Sequence, residues 1–280
     1  VGFNMLLRVK DKVLKHVVQK CLVSGSSYYE DVYTSVLSGK SIPVIGRFNA
    51  IYSEEQKVIG GVGLVEDISE RVKNEKLQKA LFKISETASK DINMKELYFE
   101  LHQIIKELMP AENLYVAMHN KVTNVISFPY FFDIYDSSPV DRQFGNGWTE
   151  VVLKSEKSQI ITPEISDEIT KKQIVDLFGR PSLVWIGIYL EFEGDYKGVL
   201  ALQDYDNPNA YSEEDIKILQ FVSEQIVKVL DKKYADRRLK ESIEELSDAK
   251  KELEKINQNK DRFFSIIAHD LRAPFNTLLG

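Results

Sequence analysis

The 280-residue sequence is poor in cysteine, in long apolar segments and in net positive charge. Its one cysteine, Cys21, excludes a disulfide within the chain and fits a reducing compartment, so we expect a cytoplasmic protein. The longest apolar run, Leu183–Leu190, is far shorter than a membrane-spanning helix, and no signal peptide is visible. The net charge of −6 gives no reason to expect a nucleic-acid surface.

Both ends of the sequence predict a piece of a longer protein. The first residue is Val1 rather than Met, and the last residues continue a helical pattern. The expectation of a cytoplasmic protein therefore leaves open a membrane anchor upstream.

Residues 1–71 combine one amphipathic helix with strand-like runs. The helical pattern ends before Gly25, and alternating runs follow at 28–37, 42–52 and 58–68. Polar turns join these runs, which predicts three consecutive antiparallel strands. A helix and three strands make a small core for an independent domain.

The third run ends in Asp67-Ile68-Ser69-Glu70-Arg71, where the Asp67 or Ser69 oxygen can cap the helix that follows. This ending resembles the close of a PAS domain, a sensor fold. The resemblance implies that residues 1–71 are the C-terminal part of such a domain, whose opening elements lie upstream. Because those elements carry much of a PAS pocket, no ligand is predicted here. A generic β-meander is the alternative.

Residues 72–234 predict a second α+β domain. Two helical patterns come first and strand-like runs follow, at 77–88, 97–108, 114–119, 125–130, 160–161, 183–192 and 196–204. The last two runs meet at Glu193-Gly194-Asp195, a hairpin signal. Ser212 and Asp215 form a capping box that opens the closing helix.

Three stretches of this region, Gly147–Leu153, Trp185–Leu190 and Gly198–Tyr205, carry a resemblance to GAF domains. The resemblance implies a pocket for a small ligand between sheet and helices, or a dimerisation role. Candidate pocket residues are Tyr115, His119, Phe128, Trp148 and Trp185. The alternative is that these are core aromatics, since buried aromatic rings usually pack.

The same region offers no clear metal or cofactor chemistry. His119 has no second His or Cys at ligand spacing, which speaks against a haem or a metal ion. A bilin thioether needs a cysteine, and the region has none.

From Ser212 to Ala273 the sequence has neither Gly nor Pro, which predicts one continuous helix. Beyond residue 235 the pattern is that of a parallel two-stranded coiled coil. Two stripes form its seam: Leu239, Leu246, Leu253, Lys260 and Ile267, and Ile243, Lys250, Asn257, Phe264 and Leu271. The polar members weaken the seam, so it can adopt two packings that an upstream ligand biases.

The end of the chain carries the candidate chemistry. His269 lies off the apolar stripe of its helix, with Asp270 beside it and Arg272 three residues on. An exposed neutral imidazole is a nucleophile near neutral pH, and a neighbouring carboxylate can fix its tautomer and raise its basicity. Phosphoryl transfer needs mainly such a positioned nucleophile, because the charge stabilisation can come from the partner that carries ATP.

The stretch Asn259–Gly280 contains His-Asp-Leu-Arg-x-Pro and resembles the H-box of sensor histidine kinases. The resemblance implies that His269 is the phosphoacceptor and Asp270 the acidic partner that assists transfer. The family often has Thr or Asn four residues after the histidine, a side chain associated with dephosphorylating the response regulator. Ala273 stands at that position, which puts phosphatase activity in doubt.

Together the resemblances imply a multi-domain α+β protein, the sensory and transmitter portion of a two-component histidine kinase. The expected limits are 1–71 for the PAS-like part and 72–234 for the GAF-like domain with its flanking helices. A coiled-coil linker at 235–258 follows, and 259–280 opens the dimerisation and phosphoacceptor domain. That domain is a helical hairpin whose two copies form a four-helix bundle.

The resemblance also implies partners. We expect a homodimer, a response regulator with a receiving aspartate, and a small ligand in a sensor pocket. ATP with Mg²⁺ would act through a domain beyond Gly280, because no Gly-rich phosphate loop occurs in the sequence. Two alternatives stay open: a non-catalytic dimerising module that binds a small ligand, and the sensory front end of a different enzyme.

Overall fold

The structure, a computed structural model, describes residues 11–34, 39, 41–166 and 179–279, and for residues 268–279 the backbone alone. The chain divides into two compact units. The first contains the described residues up to Lys83 together with Ile104–Met109, and the second contains Ile84–Gln103 and the described residues from Pro110 onward. Antiparallel sheets and helices make up both units, which confirms the expected α+β class.

The first unit packs one helix on a three-stranded sheet. Its elements are α1 (Lys12–Ser24), β1 (Ser26–Thr34), β2 (Ser41–Tyr52) and β3 (Val58–Asp67), with the strands in the order β1-β2-β3. Asp11 caps α1, since its Oδ1 accepts a hydrogen bond of 2.8 Å from the Leu14 amide, and Gly25 ends the helix at a φ of +88°. The predicted helix and strands of this region are confirmed.

The core of this unit lies between α1 and one face of the sheet, where five buried residues cluster: Leu14, Cys21, Tyr29, Val44 and Phe48. Gly63 pairs with Phe48 across the sheet. A Cβ at Gly63 would lie 2.6 Å from the Phe48 ring, so only glycine fits there.

Two further helices follow β3. Helix α2 (Ser69–Ser89) begins where the Asp67 carboxylate accepts a hydrogen bond of 2.9 Å from the Ser69 amide, the capping predicted from the sequence. Helix α3 (Met94–Leu108) begins with a reciprocal capping box between Asn93 and Glu96.

The second unit is built on a six-stranded antiparallel sheet in the order β6-β5-β4-β9-β8-β7. Its elements are β4 (Asn113–Asn120), β5 (Val125–Phe132), β6 (Arg142–Gln143), α4 (Trp148–Ser155), β7 (Gln159–Ile161), β8 (Val184–Glu191), β9 (Tyr196–Asp204) and α5 (Glu213–Leu279). The hairpin between β8 and β9 is confirmed, with Gly194 at a φ of +82°.

A β-bulge in β5 determines which side chains face each side of this sheet. Val116 of β4 pairs with Tyr130, but Met118 pairs with Ser127, so β5 has one residue more than its partner. Such a bulge changes the alternation of side chains along the strand. As a result, Phe128 and Phe131 line the same cavity although they lie three positions apart.

The closing helix α5 runs from Glu213 to Leu279 and includes the continuous stretch that was predicted up to Ala273. Its first turn holds the predicted capping box, in which Asp215 Oδ2 accepts hydrogen bonds from the amide (2.8 Å) and hydroxyl (2.6 Å) of Ser212. The helix packs against β8 and buries one stripe: Ile216, Leu219, Val222, Ile226 and Leu230. Residues 235–267 are exposed along their whole length.

None of the described helices is long and apolar enough to cross a membrane.

Candidate functional site

A cavity of about 510 Å³ opens on one face of the six-stranded sheet. Five aromatic side chains contribute to its wall: Tyr115, Phe128, Phe131, Trp148 and Trp185. Its size, and a lining that combines aromatic with polar side chains, are typical of small-ligand pockets. Of the five pocket candidates from the sequence, four lie in this wall.

The fifth candidate, His119, was wrong as a pocket residue. It is not among the residues that line the cavity. Its Nε2 instead lies 3.0 Å from Asn124 Oδ1, and its ring lies 4.5 Å from that of Phe144. These contacts give His119 a structural role at the β4–β5 turn.

A short chain of hydrogen bonds forms one side of the cavity. The Trp185 indole N–H donates to the Tyr115 hydroxyl over 3.1 Å, and that hydroxyl lies 3.0 Å from Thr149 Oγ1. Burial raises the pKa of Tyr115 to about 12, so its hydroxyl is neutral at physiological pH. The three groups join β4, β8 and the first turn of α4, which holds the aromatic wall in place.

A buried ion pair supports the loop between β6 and α4. The side chain of Glu150 is 0% exposed and pairs with the Arg142 guanidinium, whose side chain is 22% exposed. The same carboxylate accepts a hydrogen bond of 3.1 Å from the Gly145 amide. Arg142 lines the cavity and lies 5.9 Å from the centre of the Phe128 ring. Because Glu150 balances its charge, this arginine gives the wall little net positive charge.

A second polar cluster stabilises the segment beside the cavity. The Asp133 carboxylate accepts hydrogen bonds from the amides of Tyr135 (2.8 Å) and Asp136 (2.9 Å) and from the Tyr205 hydroxyl (2.9 Å). The Arg180 guanidinium lies 3.9 Å from the centre of the Tyr135 ring, a cation–π contact. These contacts hold residues 133–136 beside Tyr205 and Arg180, and Asp136 and Arg180 line the cavity.

His102 was not predicted as a site residue and is buried in α3. Its Nε2 lies 2.6 Å from the Ala111 carbonyl oxygen and its Nδ1 lies 2.8 Å from the Tyr130 hydroxyl. The available signal was its place on the apolar face of the helix, one position after Leu101. A polar side chain on such a face needs a buried partner.

Within the described part of the chain, no cluster of His, Cys, Asp and Glu side chains could hold a metal ion.

His269 and Asp270 are part of helix α5. The structure describes their backbone but not their side chains. Upstream of them, the predicted seam is exposed along the helix. Leu246 is 70% exposed and Leu253 is 63% exposed, and Leu239, Ile243 and Phe264 are exposed to a similar degree. The helix thus presents an apolar stripe with no covering within the chain's described residues.

Comparison with known proteins finds partial similarity to a known protein in sequence and to solved structures in fold. No protein-family model matches the chain. A hybrid signal transduction histidine kinase G of Dictyostelium discoideum is 29% identical over 93 residues, which are 32% of this chain and 3% of that protein. The matched region is therefore a small part of the relative's length.

Similar solved structures align with the chain at low identity. The GAF domain of a phosphoenolpyruvate-protein phosphotransferase from Coxiella burnetii aligns with a TM-score of 0.48 and 14% identity, over 59% of this chain and 98% of that one. A free methionine-R-sulfoxide reductase from Neisseria meningitidis, in complex with its substrate, aligns with a TM-score of 0.44 and 14% identity, over 58% of this chain and 90% of that one.

Proposed function

We propose that this chain is the sensory and transmitter portion of a two-component sensor histidine kinase, with His269 as its phosphoacceptor. The observation that carries the proposal is the stretch Asn259–Gly280, which holds His269-Asp270-Leu271-Arg272-Ala273-Pro274 on a continuous helix. The similarity to a signal transduction histidine kinase supports the same class of protein.

Helix α5 supports the proposal because it joins the sheet unit to the candidate phosphoacceptor without a break. Leu230 is the last fully buried residue of the helix. At 1.5 Å per residue, His269 lies about 60 Å farther along the same helix. Such a helix can carry a change of orientation at the sheet unit to the reactive end.

The sensory part of the proposal rests on the two folded units. In the second unit, the six-stranded antiparallel sheet and the aromatic cavity support a GAF-like sensor for a small ligand. In the first unit, the helix, the three strands and the Asp67 cap support the C-terminal part of a PAS-like domain. In this proposal, ligand occupancy in the sensors controls the phosphorylation of His269.

The transmitter part of the proposal requires partners. The exposed seam of α5 would pair with a second copy of the chain, which covers its apolar side chains. ATP with Mg²⁺ would be bound by a domain downstream of Gly280, and Asp270 would act as the acidic partner of the histidine. The phosphoryl group would then pass to an aspartate of a response regulator. Ala273 offers no polar group to orient a water for the phosphatase reaction, the hydrolysis of the regulator's phosphoaspartate.

Phosphorylation of the full-length protein tests this function. The protein and its His269→Gln variant are incubated with labelled ATP, and His119→Gln is the matched control because it removes a histidine from the β4–β5 turn. We expect an acid-labile, base-stable label in the wild type and in His119→Gln, and none in His269→Gln. Label that survives in His269→Gln would refute the assignment of the phosphoacceptor.

A second candidate function is a non-catalytic module that binds a small ligand and dimerises. The aromatic cavity and the exposed seam favour it, because both exist independently of His269. Absence of label from a full-length protein that binds ATP would support this candidate.

A further inference from the structure

The last contact between α5 and the second unit is made by a pair of tyrosines. The hydroxyls of Tyr234 on α5 and Tyr98 on α3 lie 2.8 Å apart, and either can donate to the other. One residue earlier, the Lys233 ammonium donates to the Lys90 carbonyl oxygen over 2.6 Å. From Ala235 to Ile267 the helix is exposed. The tyrosine pair therefore lies at the point where the helix leaves the unit.

The Tyr98 side chain is enclosed and stacks on a strand residue next to the cavity wall. Tyr98 is 2% exposed, and burial raises its pKa well above the usual value, so its hydroxyl is neutral. Its ring stacks on that of Tyr130 in β5, with centres 5.8 Å apart and planes at 21°. Tyr130 is next in sequence to Phe131, a residue of the cavity wall.

His102 holds Tyr130 in its position. The Ala111 carbonyl oxygen can only accept a hydrogen bond. Nε2 of His102 therefore carries a proton and donates the hydrogen bond over 2.6 Å. In the neutral imidazole, Nδ1 then accepts a hydrogen bond of 2.8 Å from the Tyr130 hydroxyl. The imidazole also contacts the Tyr130 ring edge-on, with centres 5.6 Å apart. Two kinds of contact thus fix the ring on which Tyr98 stacks.

The direction in which the seam residues point depends on how α5 is held where it leaves the second unit. At 100° per residue, Leu246 on the seam lies about 160° around the helix from Leu230, which packs on the sheet. The seam therefore faces away from the second unit. A rotation of the helix at Tyr234 would turn the whole seam relative to that unit.

We propose that Tyr98 and Tyr234 are positioning residues that set the orientation of α5 as it leaves the second unit, and that Tyr130 connects them to the cavity wall. This inference rests on the proposed function, because it gives the route by which a ligand in the cavity would reach the transmitter helix. Tyr234 is half-buried, so water that reaches it can replace its hydrogen-bond partner at a modest free-energy difference. The bond can therefore be made or broken without unfolding the unit.

The test measures amide hydrogen exchange in the 280-residue chain for Tyr98→Phe, Tyr234→Phe and the double variant. Tyr211→Phe is the matched control, since its buried hydroxyl has no hydrogen-bond partner among the described residues. We expect exchange in residues 230–240 to be about 3- to 10-fold faster in all three variants, as the loss of one ordinary hydrogen bond predicts. Exchange in β4 should be unchanged, and the control should match the wild type.

The double variant separates positioning from simple stability. Removing both hydroxyls leaves no buried group without a partner, so the midpoint of urea unfolding should return close to the wild-type value. Exchange at 230–240 should nevertheless stay fast, because the bond that holds the helix is still missing. Wild-type exchange rates in the double variant, or faster exchange throughout the second unit, would overturn the proposal.

The connection to the cavity is tested with Phe131→Ala. In the wild-type background this change should alter exchange at 230–240, and in the Tyr98→Phe/Tyr234→Phe background it should have no further effect there. Equal effects in both backgrounds would overturn the role of Tyr130. Hydrogen exchange and urea unfolding do not involve phosphorylation. Their results are therefore independent of the labelling result for His269.

Discussion

Replacing Glu150 by Gln should destabilise the second unit by about 2–3 kcal/mol, because it breaks a buried ion pair. Loss of one partner from such a pair costs about 3–5 kcal/mol when the remaining charge stays buried. Arg142 is 22% exposed, so water can partly hydrate its guanidinium, which lowers the cost. Gln keeps an acceptor for the Gly145 amide, and this also limits the loss.

Removing the other partner, Arg142, should lower the free energy of unfolding by more. Arg142→Met leaves the Glu150 carboxylate, which is 0% exposed, without its counter-charge, so we expect the upper part of the range of about 3–5 kcal/mol. The double variant Arg142→Met/Glu150→Gln removes both charges. Its cost should be clearly smaller than the sum of the single costs, which a double-mutant cycle measures directly.

Urea unfolding followed by tryptophan fluorescence is the suitable assay. Both tryptophans of the chain, Trp148 and Trp185, line the cavity of this unit. Glu156→Gln is the matched control, since this carboxylate pairs with Lys197 at the surface and its loss should leave the midpoint unchanged. A Glu150→Gln midpoint equal to that of the control, or additive costs in the cycle, would refute the role assigned to the buried pair.

Two other predictions concern pH and dimerisation. The pKa of Tyr115 is about 12 in the folded chain against 10 when unfolded, so stability should fall as pH rises from 10 to 12. Tyr115→Phe should reduce that fall in urea titrations at each pH. Leu246→Asp should weaken the proposed dimer, whereas joint replacement of Lys250, Asn257 and Lys260 by Leu, Ile and Leu should strengthen it. Sedimentation velocity measures the dissociation constant of both variants. A constant equal to that of the wild type would contradict the role of the seam in dimerisation.

Local patterns predicted most of the fold because they depend on neighbours in sequence. The end of α1 at Gly25, the caps at Asp67 and Ser212, and the hairpin at Gly194 all follow from residues within a few positions of each other. Strand β6 was not predicted, since a two-residue strand carries no alternation that a sequence can show.

Parts of the site could not be predicted because they depend on contacts between distant residues. The bulge in β5 places Phe131 in the cavity wall, and nothing in the alternation of β5 alone indicates it. The Tyr98–Tyr234 contact joins residues 136 positions apart. His119 was chosen for its residue type, whereas the histidine with two buried partners is His102.

In the function that we propose, the two faces of α5 would let one helix serve both the folded unit and a dimeric transmitter. Up to Leu230 the helix buries one stripe against its own unit, and beyond residue 235 an exposed stripe on the far side forms the seam. The two stripes lie roughly 160° apart, so dimerisation along the seam does not compete with packing on the sheet. Between them, the hydrogen bonds of Asp231, Lys233 and Tyr234 hold the helix against the rest of its unit. A small change at this junction would therefore alter the seam while both packed regions stay intact.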